Sequence, residues 1–261
     1  MSPQAPRTFH YRACAHAFSG SFSRPFQHQI DIQAPVSLPT IGGHGHNRVE
    51  NFQFREFVSF KKGYTHVSGA HQADDDSNNT LVTATVEGLN VLDVLTADRV
   101  VARLYSKHHR DAAEGEITLV GSKFENLRIA GCLVHVEFDH DLIEEILTFE
   151  LAKKSFEKKG KFRKAAEDPF KTGDSLTKLN EHGPVLFSCV KDIETDCPGV
   201  TRRGRHGFHV RGFGTVFLGE VLLKHGEKTL TMIRLDIGSA VSGKGTVSEA
   251  SGNGSPYPPT K

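Results

Sequence analysis

The chain has 261 residues, a formal net charge of +1, and 37% hydrophobic against 24% charged residues. This balance excludes an intrinsically disordered chain as a class, and the near-zero charge gives no global attraction to nucleic acid or to an anionic membrane. No apolar stretch approaches the roughly 20 residues that span a bilayer, and the first residues contain no apolar secretory core. We therefore expect a folded, cytoplasmic protein that has no membrane contact and does not use nucleic acid as its partner.

The strand patterns begin near the N-terminus. Residues 8–22 alternate between apolar and polar side chains, with the period of two that is typical of a half-buried strand. Residues 34–45, rich in proline and glycine, predict a loop. Apolar and β-branched residues predict further strands at 57–67, 92–105, 133–138, 184–193, 207–224 and 229–237.

An internal repeat occupies the first half of the chain. Residues 49–54, 86–91 and 124–129 share the order apolar, Glu, Asn or Gly, Leu or Phe, any residue, apolar. The apolar residues do not fit one continuous alternation, so the backbone must bend at the second and third positions. These corner positions are Glu50 and Asn51, Glu87 and Gly88, and Glu125 and Asn126.

Asn and Gly at the third position tolerate a left-handed backbone, which predicts a corner or bulge with positive φ. Each corner glutamate is then expected to accept hydrogen bonds from N–H groups of its own corner. A ring of three carboxylates around a cation is the alternative, although a hard cation takes six or more oxygen ligands. The fold predicted is all-β, with repeated strand-corner-strand units in a sandwich, prism or solenoid-like arrangement.

A helical pattern interrupts the strands. Apolar residues recur at helical spacing over 141–159, which predicts one inserted amphipathic helix. The charged sequence after it predicts a solvated, flexible continuation, so that the insertion covers about 141–183. Glycines and prolines at 251–261 predict a disordered tail. We expect a single β-rich domain at 1–250 that carries this insertion.

The four cysteines include no C-x-x-C pair and are too few for a disulfide framework in a chain of this length. We expect them to be reduced and mostly buried. Cys189 and Cys197 are the pair that an oxidising compartment could join. A cysteine nucleophile served by a distant histidine stays open as an alternative.

Two segments carry a family resemblance: GLNVL at 88–92, which continues to TADRV at 96–100, and VRGFGTVFLGE at 210–220. They are similar to segments of the bacterial all-β domains known as choice-of-anchor P proteins, over about a third of the chain. The resemblance implies a β fold. Members of that family are secreted or surface-attached modules with no established reaction, so the resemblance supplies no catalytic residues. We expect neither a signal peptide nor an anchor here, which would be a departure from the family.

A His-x-His pair is the sharpest candidate for chemistry. His44 and His46 would lie on one side of an extended chain, and Glu50 could complete a facial site for iron, zinc or nickel. The pattern resembles one half of a cupin signature, but its flanking glycines and its second motif are missing. The alternative is a glycine-rich loop with two solvated histidines. A divalent metal is the one cofactor to consider.

Two charged segments are weaker candidates. Arg202, Arg203 and Arg205 form a basic string that could contact an anion such as phosphate, although no aromatic residues are interleaved for stacking on bases. The alternative is an exposed loop. Residues 74–76 are three aspartates without the spacing of a calcium loop, and they predict a hairpin tip.

The sequence therefore favours a binding or self-assembly module on a rigid β scaffold, whose partner is another protein or a second copy of the chain. The alternative is a metal-dependent enzyme that uses His44, His46 and Glu50, completed by a histidine such as His135 or His209. A nucleic-acid binder is a third hypothesis. No Walker loop, dinucleotide fingerprint, G-x-S-x-G or H-E-x-x-H motif occurs, so the catalytic residues of any enzyme are unknown.

Overall fold

The structure is a computed structural model and describes residues 8–158, 161–171, 185–194, 197–224, 226–238 and 240–257. Its first elements are β1 (Thr8–Arg24), β2 (His28–Gln33), β3 (Val36–Ser37), β4 (Gly43–Phe54), β5 (Val58–Gln72), a 3-10 turn (Ala73–Asp75), β6 (Ser77–Val91) and β7 (Leu95–His109). The next are β8 (Glu116–Thr118), β9 (Lys123–Glu125), β10 (Arg128–Ile129), β11 (Cys132–Leu133), β12 (His135–Phe138), α1 (His140–Glu145), α2 (Phe149–Glu157) and α3 (Lys161–Lys171). The last are β13 (Val185–Ser188), β14 (Val190–Glu194), β15 (Val200–Arg203), β16 (Gly207–Val210), β17 (Gly214–Lys224), β18 (Glu227–Ile237) and β19 (Ser242–Tyr257).

The strands form two large antiparallel sheets and one small sheet, which confirms the all-β class. The sheet that we call the terminal sheet has the order β15-β16-β17-β18-β19-β1-β2, with β13 beside β17 and β3 beside β1. The sheet that we call the middle sheet has the order β11-β10-β7-β6-β5-β4, with β8 and β9 beside β7. Strands β12 and β14 make the small sheet. The two ends of the chain therefore meet in one sheet.

The core lies where β1, β18 and β19 pack face to face on β5, β6 and β7. Phe18 of β1 is 2% exposed, and its ring centroid lies 6.1 Å from that of Phe52 and 6.5 Å from that of Phe60. Phe22 packs on Phe57 at 5.0 Å. Burying one such side chain contributes roughly 1.5–3 kcal/mol, so this aromatic group helps to hold the two sheets together.

Strand β19 corrects the predicted tail. Residues 251–257 belong to β19, which pairs with β1 on one side and β18 on the other; residues 258–261 lie outside the described residues. Its glycines have a packing role, because a Cβ on Gly252 would lie 2.9 Å from a methyl of Leu104 and one on Gly254 would meet the Phe9 ring. The predicted loop at 34–45 is also wrong in part, since β3 lies inside it and β4 begins at Gly43.

The three predicted corners adopt the expected backbone. Asn51, Gly88 and Asn126 have φ of 51°, 65° and 49°. In the middle sheet, the pairing of β4 with β5 is interrupted at Asn51 and that of β6 with β7 at Gly88, but the register is the same on both sides of each interruption, so these positions are corners rather than bulges. These interruptions explain why the apolar residues of each segment do not follow one alternation.

Gly88→Ala is expected to lower the free energy of unfolding by roughly 1–2 kcal/mol, because a Cβ disfavours the left-handed backbone. The new Cβ would also lie 2.8 Å from Cγ of Lys61. Asn51→Gly is the matched control at the sister corner, and we expect it to change stability by only a few tenths of a kcal/mol. Urea unfolding measures both variants; equal losses in the two would contradict the assignment of the corners.

The inserted segment differs from the prediction. The single helix predicted at 141–159 is replaced by two, α1 and α2, and residue 159 lies outside the described residues. Each helix has its own N-cap: Asp139 accepts a hydrogen bond from the N–H of Leu142, and Thr148 accepts one from the N–H of Leu151. The charged continuation also contains a helix, α3, whose Phe162 is fully buried against Phe187. Residues 172–184 lie outside the described residues. The assignment of 1–250 to one domain stays a prediction.

The cysteines correct a further prediction. Cys132 in β11 and Cys197, just before β15, form a disulfide that joins the edges of the two large sheets. Cys14 is free and exposed, whereas Cys189 is free and buried. Burial raises the pKa of the Cys189 thiol to about 12, which makes it a poor nucleophile. Within the described part of the chain, no helix is both long and apolar enough to cross a bilayer.

Candidate functional site

A groove crosses the outer face of the terminal sheet, the face turned away from the middle sheet. It encloses about 480 Å³ and runs over β18, β19, β1 and β2. Hydroxyl, amide, cationic and aliphatic side chains line it together with glycine backbone: Ser19, Gly20, Ser21, Gln29, Ile30, Ile32, Arg234, Leu235, Lys244, Gly245 and Thr246. Strands from both ends of the chain form this groove, so no local sequence motif predicts it.

The cross-strand register arranges the polar side chains of the groove in two rows. Residues directly opposite each other on neighbouring antiparallel strands point to the same face. The rows are Arg234, Thr246 and Ser19, and beside them Lys244, Ser21 and Gln29; Asp236 continues the second row on β18, outside the groove lining. The groove therefore presents two cations and four neutral polar groups on one surface.

A network of hydrogen-bonded side chains connects the first row to residues outside the groove. The Thr246 hydroxyl lies 2.9 Å from the Ser19 hydroxyl and 3.0 Å from Nε2 of His16. Nδ1 of His16 lies 3.9 Å from Glu249, which accepts a 3.0 Å hydrogen bond from Thr231. Burial lowers the pKa of His16, and the Glu249 carboxylate only partly opposes this effect. The imidazole is therefore mainly neutral at pH 7.

A buried carboxylate fixes the direction of the arginine in the groove. Glu220 is 4% exposed and accepts hydrogen bonds from Nε and Nη2 of Arg234 at 2.6 and 2.9 Å. Nε2 of His206 lies 3.1 Å from the same carboxylate, and the Arg234 guanidinium lies 3.9 Å above the Phe217 ring. Burial alone would raise the pKa of Glu220, but the hydrogen bonds from His206 and Arg234 outweigh it and hold the pKa below its ordinary value.

The predicted metal ligands lie on a different surface. His44, His46 and Glu50 share the exposed outer face of β4, an edge strand of the middle sheet. Glu50 forms an ion pair with Arg48 on the same face. The register places His66 of β5 directly opposite His46, so the structure brings a third histidine to the pair. Sequence reasoning missed His66 because its distance from His46 along the chain carries no ligand spacing.

The corner glutamates form a row of alternating charge across the middle sheet. Glu50 faces Lys62, Lys62 faces Glu87, Glu87 faces Arg99, and Arg99 faces Glu125. Arg99 donates to Glu87 at 2.7 Å and lies 3.8 Å from Glu125; the bonds to Glu87 raise the pKa of the guanidinium. The corner glutamates therefore pair with basic side chains, which corrects both the corner N–H prediction and the cation ring.

Two arginines of the basic string, Arg202 and Arg205, contact carboxylates within the protein. Arg202 donates to Asp192 at 2.9 Å, and Arg205 lies 3.5 Å from Asp139. The Ile193 N–H and the Arg202 side chain both donate hydrogen bonds to the Asp192 carboxylate, and these bonds hold the pKa of Asp192 below its ordinary value. Arg203 is exposed at the end of β15. The three arginines therefore do not form the single anion site that the sequence suggested.

The other histidines do not complete a metal site around β4. His135 begins β12 in the small sheet, and Nδ1 of His209 in β16 lies 3.3 Å from the Thr215 hydroxyl. Across the described residues, no group of three or more His, Cys, Asp and Glu side chains converges so as to hold a metal ion. The His-x-His-x3-Glu site is therefore not assembled as the sequence predicts it.

A family model described as "Domain of unknown function (DUF8256)" matches residues 9–172. The chain belongs to the DUF8256 family. No curated protein and no solved structure matches it. The DUF8256 match runs from β1 to α3, so it includes β1 and β2 on one side of the groove but not β18 and β19 on the other. The family description assigns no activity, and a functional assignment must rest on the geometry of the surface.

Proposed function

We propose that this DUF8256 protein is a binding module that takes a small anionic, hydroxyl-bearing molecule, such as a sugar acid or a sugar phosphate, in the groove of the terminal sheet. The observation that carries the proposal is the two registered rows of polar side chains on the groove surface. Convergent polar groups in a concave surface are the general mark of a small-molecule site.

The charge of the groove favours an anion. Lys244 is exposed and forms no ion pair within 4.0 Å among the described residues, although Asp236 lies directly opposite it on β18. The carboxylate of Glu220 already compensates Arg234, which leaves Lys244 as the cation that a ligand would neutralise. Hydroxyl and amide side chains such as Ser21 and Gln29 can donate to the oxygens of a carboxylate or phosphate.

The aliphatic part of the groove suits a ring-shaped ligand. Ile32 is 53% exposed at the edge of the groove and supplies an aliphatic surface, whereas Ile30 and Leu235, which are 4% and 2% exposed, belong to the core. The C–H face of a sugar ring can lie on such a surface while its hydroxyls meet the polar rows. This combination supports an amphipathic ligand over a bare inorganic anion.

The exposed apolar residues favour a small ligand over a large protein interface. The large exposed apolar side chains of the described residues are distributed over strands, loops and helix α2: Ile32, Ile41, Val120, Leu133, Leu151 and Tyr257. Stable interfaces usually need a contiguous apolar patch. Self-association and a protein partner therefore stay predictions, and so does a likeness in role to the choice-of-anchor P modules.

Isothermal titration calorimetry with glucose 6-phosphate, glucuronate and neutral glucose tests the proposal. We expect the two acids to bind wild-type protein and glucose to bind at least tenfold more weakly. Lys244→Glu should weaken binding of the acids by about tenfold or more, which corresponds to about 1.4 kcal/mol. Lys224→Glu, at an exposed lysine of β17 outside the groove, is the matched control and should bind as wild type does. Equal affinities in the two variants, or no binding of either acid, would contradict the proposal.

A further inference from the structure

The outer face of the middle sheet carries a histidine arrangement that is independent of the groove. His44 and His46 point away from the core, because the residues between and after them turn the other way: a Cβ on Gly45 would meet Val36 and Val67, and Asn47 donates to the Pro35 carbonyl. Antiparallel pairing of β4 with β5 places His66 directly opposite His46. All three imidazoles therefore share one face of two neighbouring strands.

The spacing of these positions suits a single metal ion. Side chains directly opposite each other on antiparallel strands have Cβ atoms about 4.5–5.5 Å apart, and diagonal neighbours about 7–8 Å apart. His46 and His66 form the direct pair, and His44 and His66 form the diagonal pair. These distances lie within the reach of imidazole rings that bind a metal at about 2.0–2.1 Å.

We infer that His44, His46 and His66 form a site for one Zn²⁺ or a similar late first-row divalent cation on the outer face of the middle sheet. Three imidazoles are a donor set that such cations favour, and they leave a coordination position for water or a ligand oxygen. The site differs from the set expected from the sequence, because His66 takes the place of Glu50. The site also lies on the other large sheet from the groove, so an experiment can disprove either proposal without affecting the other.

Rotation of exposed side chains is required to close the site. As the rings are oriented, no three candidate ligands converge among the described residues. No hydrogen bond or ion pair within the described residues holds His44, His46 or His66, and the first two are exposed. Fixing three such side chains costs on the order of 1 kcal/mol each, which is small beside the free energy of three metal–nitrogen bonds.

The neighbouring charges permit a cation at this place. Arg48 is the next residue on the same face of β4, and its charge is neutralised by the ion pair with Glu50. Thr83 lies beside His66 on β6 and carries no charge. Glu50 thus has a role near the site, but as the partner of Arg48 and not as a metal ligand.

Zinc titration of the untagged full chain tests the inference by calorimetry, with Co²⁺ absorption as a second readout of nitrogen coordination. We expect one Zn²⁺ per chain and a loss of affinity of at least about tenfold in His66→Ala. His71→Ala is the matched control, since His71 is another exposed histidine of β5, and it should bind zinc as wild type does. Glu50→Gln should also retain binding.

Thermal unfolding of each variant checks that the fold is intact, and His66→Gln provides a more conservative second variant. Absence of zinc binding in wild type would overturn the inference. Unchanged affinity in both His66 variants would overturn it as well. A loss in Glu50→Gln as large as that in His66→Ala would assign the metal to the His44, His46 and Glu50 set instead. Binding of sugar acids in the groove should be the same with and without zinc, which keeps the two proposals separate.

Discussion

Reduction of the Cys132–Cys197 disulfide is expected to lower the free energy of unfolding by about 4 kcal/mol. The bond closes a loop with a sequence separation of 65 residues, and the chain-entropy estimate for a loop of that length is about 4 kcal/mol. It also ties β11 of the middle sheet to the segment that leads into β15 of the terminal sheet. Urea unfolding with and without dithiothreitol measures this difference.

The double variant Cys132→Ser/Cys197→Ser is the control for the reductant. It should resemble reduced wild type in both conditions, because it has no bond to lose. Cys14→Ser, which removes an exposed free thiol, should keep the full response to dithiothreitol. A wild-type protein whose unfolding midpoint is the same in both conditions would show that the disulfide is absent or does not stabilise the fold.

Arg234→Met is expected to cost about 3 kcal/mol of stability, because it leaves the buried carboxylate of Glu220 without its two shortest hydrogen bonds. Arg202→Met is the matched control. Its partner Asp192 has a side chain that is 54% exposed, so that loss should stay below about 1 kcal/mol. The double variant Arg234→Met/Glu220→Met should recover part of the loss, since no unpaired charge remains buried.

The pH dependence of Arg234→Met has a defined sign. The folded-state pKa of Glu220 lies below its ordinary value of 4.5, so its carboxylate stabilises the fold above pH 4.5. This contribution is lost as the pH falls through the lower folded-state pKa. The difference in stability between wild type and Arg234→Met should therefore shrink in acid. A difference that stays constant from pH 7 to pH 3 would contradict the role given to Glu220.

Local patterns predicted strand β1 of the terminal sheet and the corners of the middle sheet, because strand and corner preferences act over a few residues. Alternation over residues 8–22 anticipates β1, and Asn or Gly at the corners anticipates positive φ. The same local reasoning failed for β19. A Cβ would crowd Leu104 of the facing sheet at Gly252 and Phe9 of the neighbouring strand β1 at Gly254, and this crowding arises only after the strands have paired and the sheets have packed.

The candidate sites depend on strand register, which a single sequence does not reveal. Ser19 and Thr246 are more than 200 residues apart, and only the pairing of β1 with β19 brings them together. His66 likewise meets His46 only through the pairing of β4 with β5. The disulfide was missed for the same reason, since Cys132 and Cys197 lie at the edges of different sheets.

The placement of the groove is consistent with a recognition surface on a rigid support. Its four strands lie at the centre and edge of the terminal sheet, with β1, β18 and β19 packed on the middle sheet. Side chains on packed strands are held in place before a ligand binds, which lowers the entropy lost on binding. We therefore expect ligand binding to change the backbone little.

Amide chemical-shift mapping during a titration with glucose 6-phosphate tests the proposed function most directly. The account predicts the largest shifts at Gly20 of β1 and at Gly245 and Thr246 of β19, which line the groove. It predicts little change at His44 and His46 on the opposite sheet. Shifts concentrated on β4 and β5, or no shifts at all at saturating ligand, would contradict the assignment of the groove as the binding site.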